Sequence, residues 1–503
     1  MKLTTLKTTP LASGLAQVLA LPLPLALVLA LVLLGLSACS QIPTLPKEDW
    51  QVPLLWKETT QARAPASSSS SAAMGASTAS GSEQWWRVLK DEGLNRLEDE
   101  LLAGNVNVLG LGAQVRVAQA TLRQSQASLW PSVNVTASSS RAANQLSVPK
   151  GTSYSLNGSL SWELDVWGRI DALTQVTSAN AQASDADWAQ AKRSARATLV
   201  QTYLNFRLAQ AQGALLREAE GAYEKSLALT EAKYRAGVVS QSDVALAQTQ
   251  FKTTQAQRHD LDLHSAQLEH ALAVLMGRAP AELRLAPLPL QPMVSGEAKA
   301  RLERGLAWPP EPPALPEVVA LSVLQKRPDI HAAQLRVQAA NAQVGVAKAA
   351  FFPPLTLSSS AGYRNTSLPG LIGAANQAWS LGPSLVLPLF DGGLRQANKE
   401  IAQAQLDAAV LNYRQVVLTA FQEVEDNLVA SLELLAEEEA YQAAAQSALQ
   451  NLKITLSQYQ SGTVAYLNVV SAQTAALNAQ KAFLNARTQR WLAWNVLQKN
   501  FFM

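Results

Sequence analysis

The chain reads as mainly α with a β part, built from two tandem repeats. Three observations predict this. The motif from Tyr234 to Thr249, Y-R-A-G-V-V-S-Q-S-D-V-A-L-A-Q-T, returns from Tyr459 to Thr474 as Y-Q-S-G-T-V-A-Y-L-N-V-V-S-A-Q-T, at an offset of 225 (459 − 234). Each copy lies between two long Pro-free tracts rich in Ala, Leu and Gln. Ahead of each long tract, two short stretches change the apolar period from 3.6 to 2. A repeat of this length sets the architecture. Each half is expected to be a long helical hairpin, with Gly237 or Gly462 marking the reversal at its tip.

Bulk numbers narrow the class. At 503 residues the chain exceeds one compact core. Charged residues are 16% and the net charge is +3, which implies no surface for nucleic acid. The 12 Trp residues suit a boundary between membrane and water. The four His residues, 259, 264, 270 and 331, lack H-E-x-x-H spacing, and no G-x-S-x-G or P-loop is present, so no enzyme and no metal is expected. Cys39 is the one cysteine, which excludes an intrachain disulfide. It follows Lys2, Lys7 and an apolar run from Leu11 to Leu36. That start is secretory in character. Leu36-Ser37-Ala38-Cys39 resembles the bacterial lipobox, which implies cleavage before Cys39 and acylation of it. Covalent lipid on Cys39 is thus the only attached group expected. Ser40 in place of Asp favours, in that sorting rule, the outer membrane.

In chain order, residues 40–62 carry Pro43, Pro46, Pro53, Trp50 and Trp56 and read as an extended arm. Residues 63–82 are a Ser/Ala/Gly tether without apolar period. Leu94, Leu97, Leu101 and Leu102 open the helical part. A tract then runs to Trp130-Pro131, and its counterpart runs from Arg327-Pro328-Asp329-Ile330 to Phe352-Pro353. After each Pro the residues alternate: Val133, Val135, Ala137; then Tyr154 to Trp162; in the second half Leu355, Leu357; then Trp379 to Leu387. Four strands in two hairpins follow. Four are too few to close a barrel alone. The long tracts, about 168–234 and about 393–459, would each reach roughly 100 Å as helix. No single globular core is that wide. Glu437, Glu438 and Glu439 are expected on a solvated helix face. A Pro-rich segment, 280–316, separates the halves. The expected organisation is 1–38 signal peptide, 39–84 anchored arm and tether, 85–279 first repeat, 280–316 linker and 317–503 second repeat.

These features together resemble the TolC-like outer-membrane factor family, in its lipoprotein branch serving multidrug efflux. The carriers are the lipobox, the starts N-V-N-V and R-P-D-I, the W-P and F-P strand entries, L-F-D-G-G (389–393), A-F-Q-E-V-E-D (420–426) and the two tip motifs. The resemblance implies a homotrimer whose long hairpins form a trimeric α-barrel. Four transmembrane strands per chain would contribute to a twelve-stranded β-barrel. It implies a passive exit duct for drugs or other small molecules. The implied partners are a periplasmic adaptor, an inner-membrane efflux pump and outer-membrane lipids. A type I secretion duct for proteins and a periplasmic coiled-coil adaptor are the competing readings.

By the same resemblance, the periplasmic aperture falls on Asn468 and Ser471, with Asp243 opposite in the first repeat. The family's acids at the first two positions are replaced here by uncharged residues. The adaptor-docking tips are Gly237, Val238 and Ser240, and Gly462, Thr463 and Tyr466. Trp162, Trp167, Tyr363 and Trp379 are the expected interface aromatics, since they lie in or beside the strands.

Overall fold

A computed structural model describes residues 84–142, 151–288, 309–313 and 327–501. Cys39, the leader, nearly all of the arm and tether, and most of the Pro-rich linker lie outside the described residues. Seven helices and four strands alternate in chain order among them. They are α1 Glu92–Gly104, α2 Val106–Ala127, β1 Ser132–Ala142, β2 Gly151–Leu164, α3 Arg169–Arg235 and α4 Gln241–Leu275. The second repeat gives α5 Pro328–Ala349, β3 Leu355–Asn365, β4 Gln377–Leu385, α6 Leu394–Gln460 and α7 Tyr466–Phe501. Helices α3 and α6 are each 67 residues without interruption, as their Pro-free sequences require.

The chain forms two compact units that cut across the repeats. The first takes Ala118–Ala181 and Leu335–Leu411. It holds a four-stranded antiparallel sheet in the order β1-β2-β3-β4. The two hairpins, one from each repeat, meet along β2 and β3, from Tyr154 opposite Asn365 to Leu164 opposite Leu355. Below the sheet, Val344, Ala402 and Leu406 bury one another where α5 meets α6. Glu163 and Arg169 form a two-pronged ion pair at 2.8 Å, and Asp165 accepts from the Ile170 and Asp171 amides. A carboxylate there satisfies orphan amides and complements the positive end of α3.

Of the described residues, the second unit takes 84–117, 182–288, 309–313, 327–334 and 412–501. Its main core sets Trp85, Trp86 and Leu89 of a 3-10 turn, with Leu94, Leu97 and Leu101 of α1, against Leu199, Tyr203 and Leu204 of α3. Leu272 and Met276 from the end of α4, and Trp491 and Trp494 of α7, complete it. The N-terminal pieces are fastened by polar bonds as well. Asp91 caps α1 through the Gly93 and Leu94 amides. Trp85 donates to Asn495, which donates to the Ala197 carbonyl. Arg207 donates to the Tyr203 hydroxyl and to the Ala286 carbonyl.

Two motif fragments find their partners here. Arg327 of R-P-D-I grips Asp329 at 3.1 and 2.7 Å, Glu423 of A-F-Q-E-V-E-D at 3.2 Å and Asn500 at 3.1 Å. Burial works to raise the Asp329 pKa, but hydrogen bonds and charge from Arg327 override it and hold the carboxyl below its usual value. The expected solvated Glu triplet is corrected. Glu437 and Glu439 are exposed, but Glu438 is buried and bonded to Arg487 at 2.7 Å and Arg490 at 3.0 Å. Successive helical residues are about 100° apart, so three in a row cannot share one face.

Arg327→Ala strands two carboxylates and should lower stability by about 3 kcal/mol, read as a fall in Tm. The Asp329 share has a definite sign. With its folded pKa depressed, the stabilisation is present above the unfolded carboxylate range and is lost as pH falls through the folded value. The Tm difference between the native protein and Asp329→Asn should therefore shrink on acidification.

Candidate functional site

At the first tip, α3 ends on Gly237 with φ +72°, and at the second α6 ends on Gly462 with φ +77°. Both close in the same way. The Gly237 and Val238 amides donate to the Tyr234 and Lys233 carbonyls, and the Gly462 and Thr463 amides to those of Tyr459 and Gln458. This pair of bonds is the Schellman motif, whose left-handed residue favours glycine. A Cβ at either glycine would meet nothing within 4 Å, so only the backbone conformation selects Gly.

The helix starts after the tips differ. Ser240 and Asp243 form a reciprocal capping box: the Asp243 amide donates to Ser240 Oγ at 3.3 Å and the Ser240 amide to Asp243 Oδ2 at 3.1 Å. At the offset of 225 stand Ala465 and Asn468, which cannot repeat it. Asp243 is thus half-buried and tied to its own helix, while Asn468 and Ser471 are exposed on the first turns of α7. Gly237, Val238, Ser240, Gly462 and Thr463 are exposed as well. Tyr466 is not. It lies buried with Ala247, Tyr459 and Val469, its ring 5.3 Å from that of Tyr459. Burial first, then Tyr459 and Tyr223, push its phenol up to about 12.

The tips are stitched across the repeat by a residue not singled out in the sequence. Lys233 Nζ donates to the Tyr459 carbonyl at 2.8 Å and stands 4.0 Å from the centre of the Tyr459 ring. Thr230 and Tyr459 hydroxyls lie 3.2 Å apart. A cation at the last carbonyls of α6 complements the negative end of that helix.

The sheet is amphipathic by register. One face sets Asn134, Thr136 and Ser138 opposite Ser159, Asn157 and Ser155, and continues through Ser360 to Ser380. Hydroxyls pair across it at 2.7 Å (Ser138 with Ser155) and 2.8 Å (Ser360 with Ser380). The opposite face carries Val133, Val135, Leu160, Leu156, Leu357, Leu381 and Trp379. Tyr363 lies on that face beside Leu156, half-buried. Trp379 is 75% exposed. Trp162 and Trp167 are half-buried; they donate to the Leu129 and Pro353 carbonyls, and Trp167 stacks on Phe352 at 4.9 Å. Trp130 and Phe390 are exposed as well, the latter 91%. Both sit in the quoted W-P and L-F-D-G-G motifs, where sequence alone shows turn chemistry and not exposure. Strands β1 and β4 each have one neighbour, so two edges of the sheet are open. Among the described residues no helix is long and apolar enough to cross a membrane.

An amphipathic sheet with open edges, attached in sequence to very long paired helices, defines a channel-forming membrane protein. The family model described as outer membrane efflux protein matches residues 97–278 and 320–500, and the chain belongs to that family. It is similar to outer membrane protein OprJ of Pseudomonas aeruginosa, 31% identical over 471 residues that cover 92% of each chain. It is also similar to the probable outer membrane lipoprotein SilC of Salmonella typhimurium, 28% identical over 81% of this chain and 85% of that one. Among solved structures, the outer-membrane channel OprN matches with a TM-score of 0.75 at 28% identity, covering 83% of this chain and 91% of that one. The open-state MtrE channel of Neisseria gonorrhoeae matches with a TM-score of 0.70 at 26% identity, covering 81% and 88%. The chain is accordingly an outer-membrane channel component of a tripartite efflux system.

Lys233→Met removes a charged hydrogen bond at the joint between the tips. The amides of residues 456–464 should then exchange about tenfold faster, a loss of about 1–2 kcal/mol of local stability. Unchanged exchange would show that the joint does not depend on Lys233.

Proposed function

We propose that three copies of this chain share one wall and form a passive, water-filled exit duct for small amphipathic or apolar molecules. Relatives bear the names of antibiotic, solvent and toluene efflux proteins, which is the source of that substrate class. The single observation that carries the duct is the sheet: one hydroxyl face, one apolar face and two unpaired edges. In hydrocarbon every backbone group needs a partner, and copies joined edge to edge supply it without leaving a free strand. No bond is made or broken; an inner-membrane pump supplies the energy.

The tips are the controlled end. Asn468 and Ser471 line the aperture with neutral polar groups, and Asp243, engaged in its cap, is the carboxylate at the matching place in the first repeat. The exposed turns at Gly237–Ser240 and Gly462–Thr463 receive the periplasmic adaptor, with Tyr466 supporting them from beneath. Lipid on Cys39 adds a second hold on the membrane, at roughly 0.8 kcal/mol per buried CH₂.

Purified protein in a planar bilayer should give discrete single-channel steps. Asn468→Ala with Ser471→Ala should change their conductance, and unchanged conductance would remove those residues from the aperture. Gly462→Val meets open space but must hold φ +77°, a strain of about 1–2 kcal/mol, so it should assemble normally yet lower drug export in cells. Cys39→Ser should abolish labelling by radioactive palmitate.

A further inference from the structure

We propose that Glu98, Arg196 and Trp86 form a proton-controlled clasp that holds α1 on the helical body: closed while Glu98 is neutral, opened when it ionises. Glu98 points from α1 into the main core and is 2% exposed. Neither of its carboxyl oxygens has a hydrogen-bond partner. The nearest cation, Arg196 of α3, stands with Nε 4.0 Å from Oε2, and that Nε is itself unpartnered. The Arg196 guanidinium instead lies 5.2 Å from the centre of the Trp86 ring. The Trp86 Nε1 is buried without a partner, as is Asn95 Oδ1 one turn along α1. Five buried polar atoms on α1, the Trp85–Leu89 turn and α3 thus go without a hydrogen bond.

That arrangement tolerates a neutral acid and penalises a carboxylate. An ionised Glu98 would have no donor and only a guanidinium held at arm's length by a cation–π contact. It can be satisfied in two ways: Arg196 leaves Trp86, or the turn of α1 carrying Glu98 opens to water. Either movement loosens the contact of α1 and the Trp85–Leu89 turn with α3.

Other charged groups stand on the elements packed around this core. On α1 itself, Asp99 opposes ionisation, and Glu100 pairs with Arg278 at 2.6 Å. Asp91 caps α1 and lies 3.9 Å from Arg207, which bonds Tyr203. At the end of α4, Glu269 accepts from the Leu285 amide. On α7, Arg490 is held by Glu438. Among the described residues, Arg196 is the cation whose charge acts on Glu98. Burial pushes the Glu98 carboxyl up to about 9, against the pull of Arg196 and with the push of Asp99.

The sign follows. An acid whose folded pKa is raised contributes its full stability below the unfolded carboxylate value and loses it progressively as pH rises towards the folded value. The clasp therefore loosens in alkaline surroundings and tightens in neutral or acidic ones.

Hydrogen exchange of the α1 amides tests this on the full-length protein in detergent, with rates corrected for the intrinsic effect of pH. From about pH 6 to about pH 10, protection in the native protein should fall by about tenfold or more, while Glu98→Gln should keep its protection throughout. Arg196→Gln removes the pull towards ionisation and raises the folded value further, so protection in that variant should go on falling to a higher pH than in the native protein before it levels off. An identical pH profile for the native protein and Glu98→Gln, or no upward shift in Arg196→Gln, would overturn the proposal.

Discussion

The sheet's unpaired backbone is the constraint on which the rest depends. Each strand edge carries a row of amides and carbonyls, and β1 and β4 leave theirs without a strand partner among the described residues. In water such edges invite aggregation; in hydrocarbon they are prohibitive. The apolar face cannot be buried within the sheet's own single layer, and the hydroxyl face has too many oxygens to sit in a lipid environment. Both faces and both edges are satisfied together when the sheet is one part of a closed wall with water on one side and lipid on the other. Family membership and this local physics lead to the same place.

Duplication supplied the length, and divergence the function. The two tips share their closing turn down to the positive φ of Gly237 and Gly462. They differ in the first turn beyond it, where Ser240 and Asp243 cap one helix and Ala465 and Asn468 leave the other without a cap. The first tip is therefore locally self-sufficient. The second relies on packing from its neighbour, through Tyr459, Tyr466 and the long side chain of Lys233.

Much of this was legible in the residue order, for physical reasons. Pro131 and Pro353 end helices, the alternation after them marks strands, and the long Pro-free tracts leave nothing to interrupt α3 and α6. Glycine at the reversals was legible because positive φ is costly for other residues. What stayed hidden was pairing at long range. Glu438 looked solvated among acidic neighbours, yet it turns inward to Arg487 and Arg490. Nothing in sequence joins Lys233 to Tyr459 or Glu98 to Arg196. Asp243, expected near the aperture, spends its carboxylate on the Ser240 cap, a local bond that its residue type alone does not distinguish from a free charge.

The most direct measurement of shared-wall assembly is a disulfide scan between the two open edges. One cysteine is placed along β1 and one along β4, with Cys39 kept because acylation both blocks its thiol and serves export, and oxidised outer membranes are examined by non-reducing electrophoresis. Some pair should give cross-linked dimers and trimers and nothing larger, because a closed ring of three exhausts its edges. Failure of every pair to link separate chains, or a ladder running past three, would contradict the account.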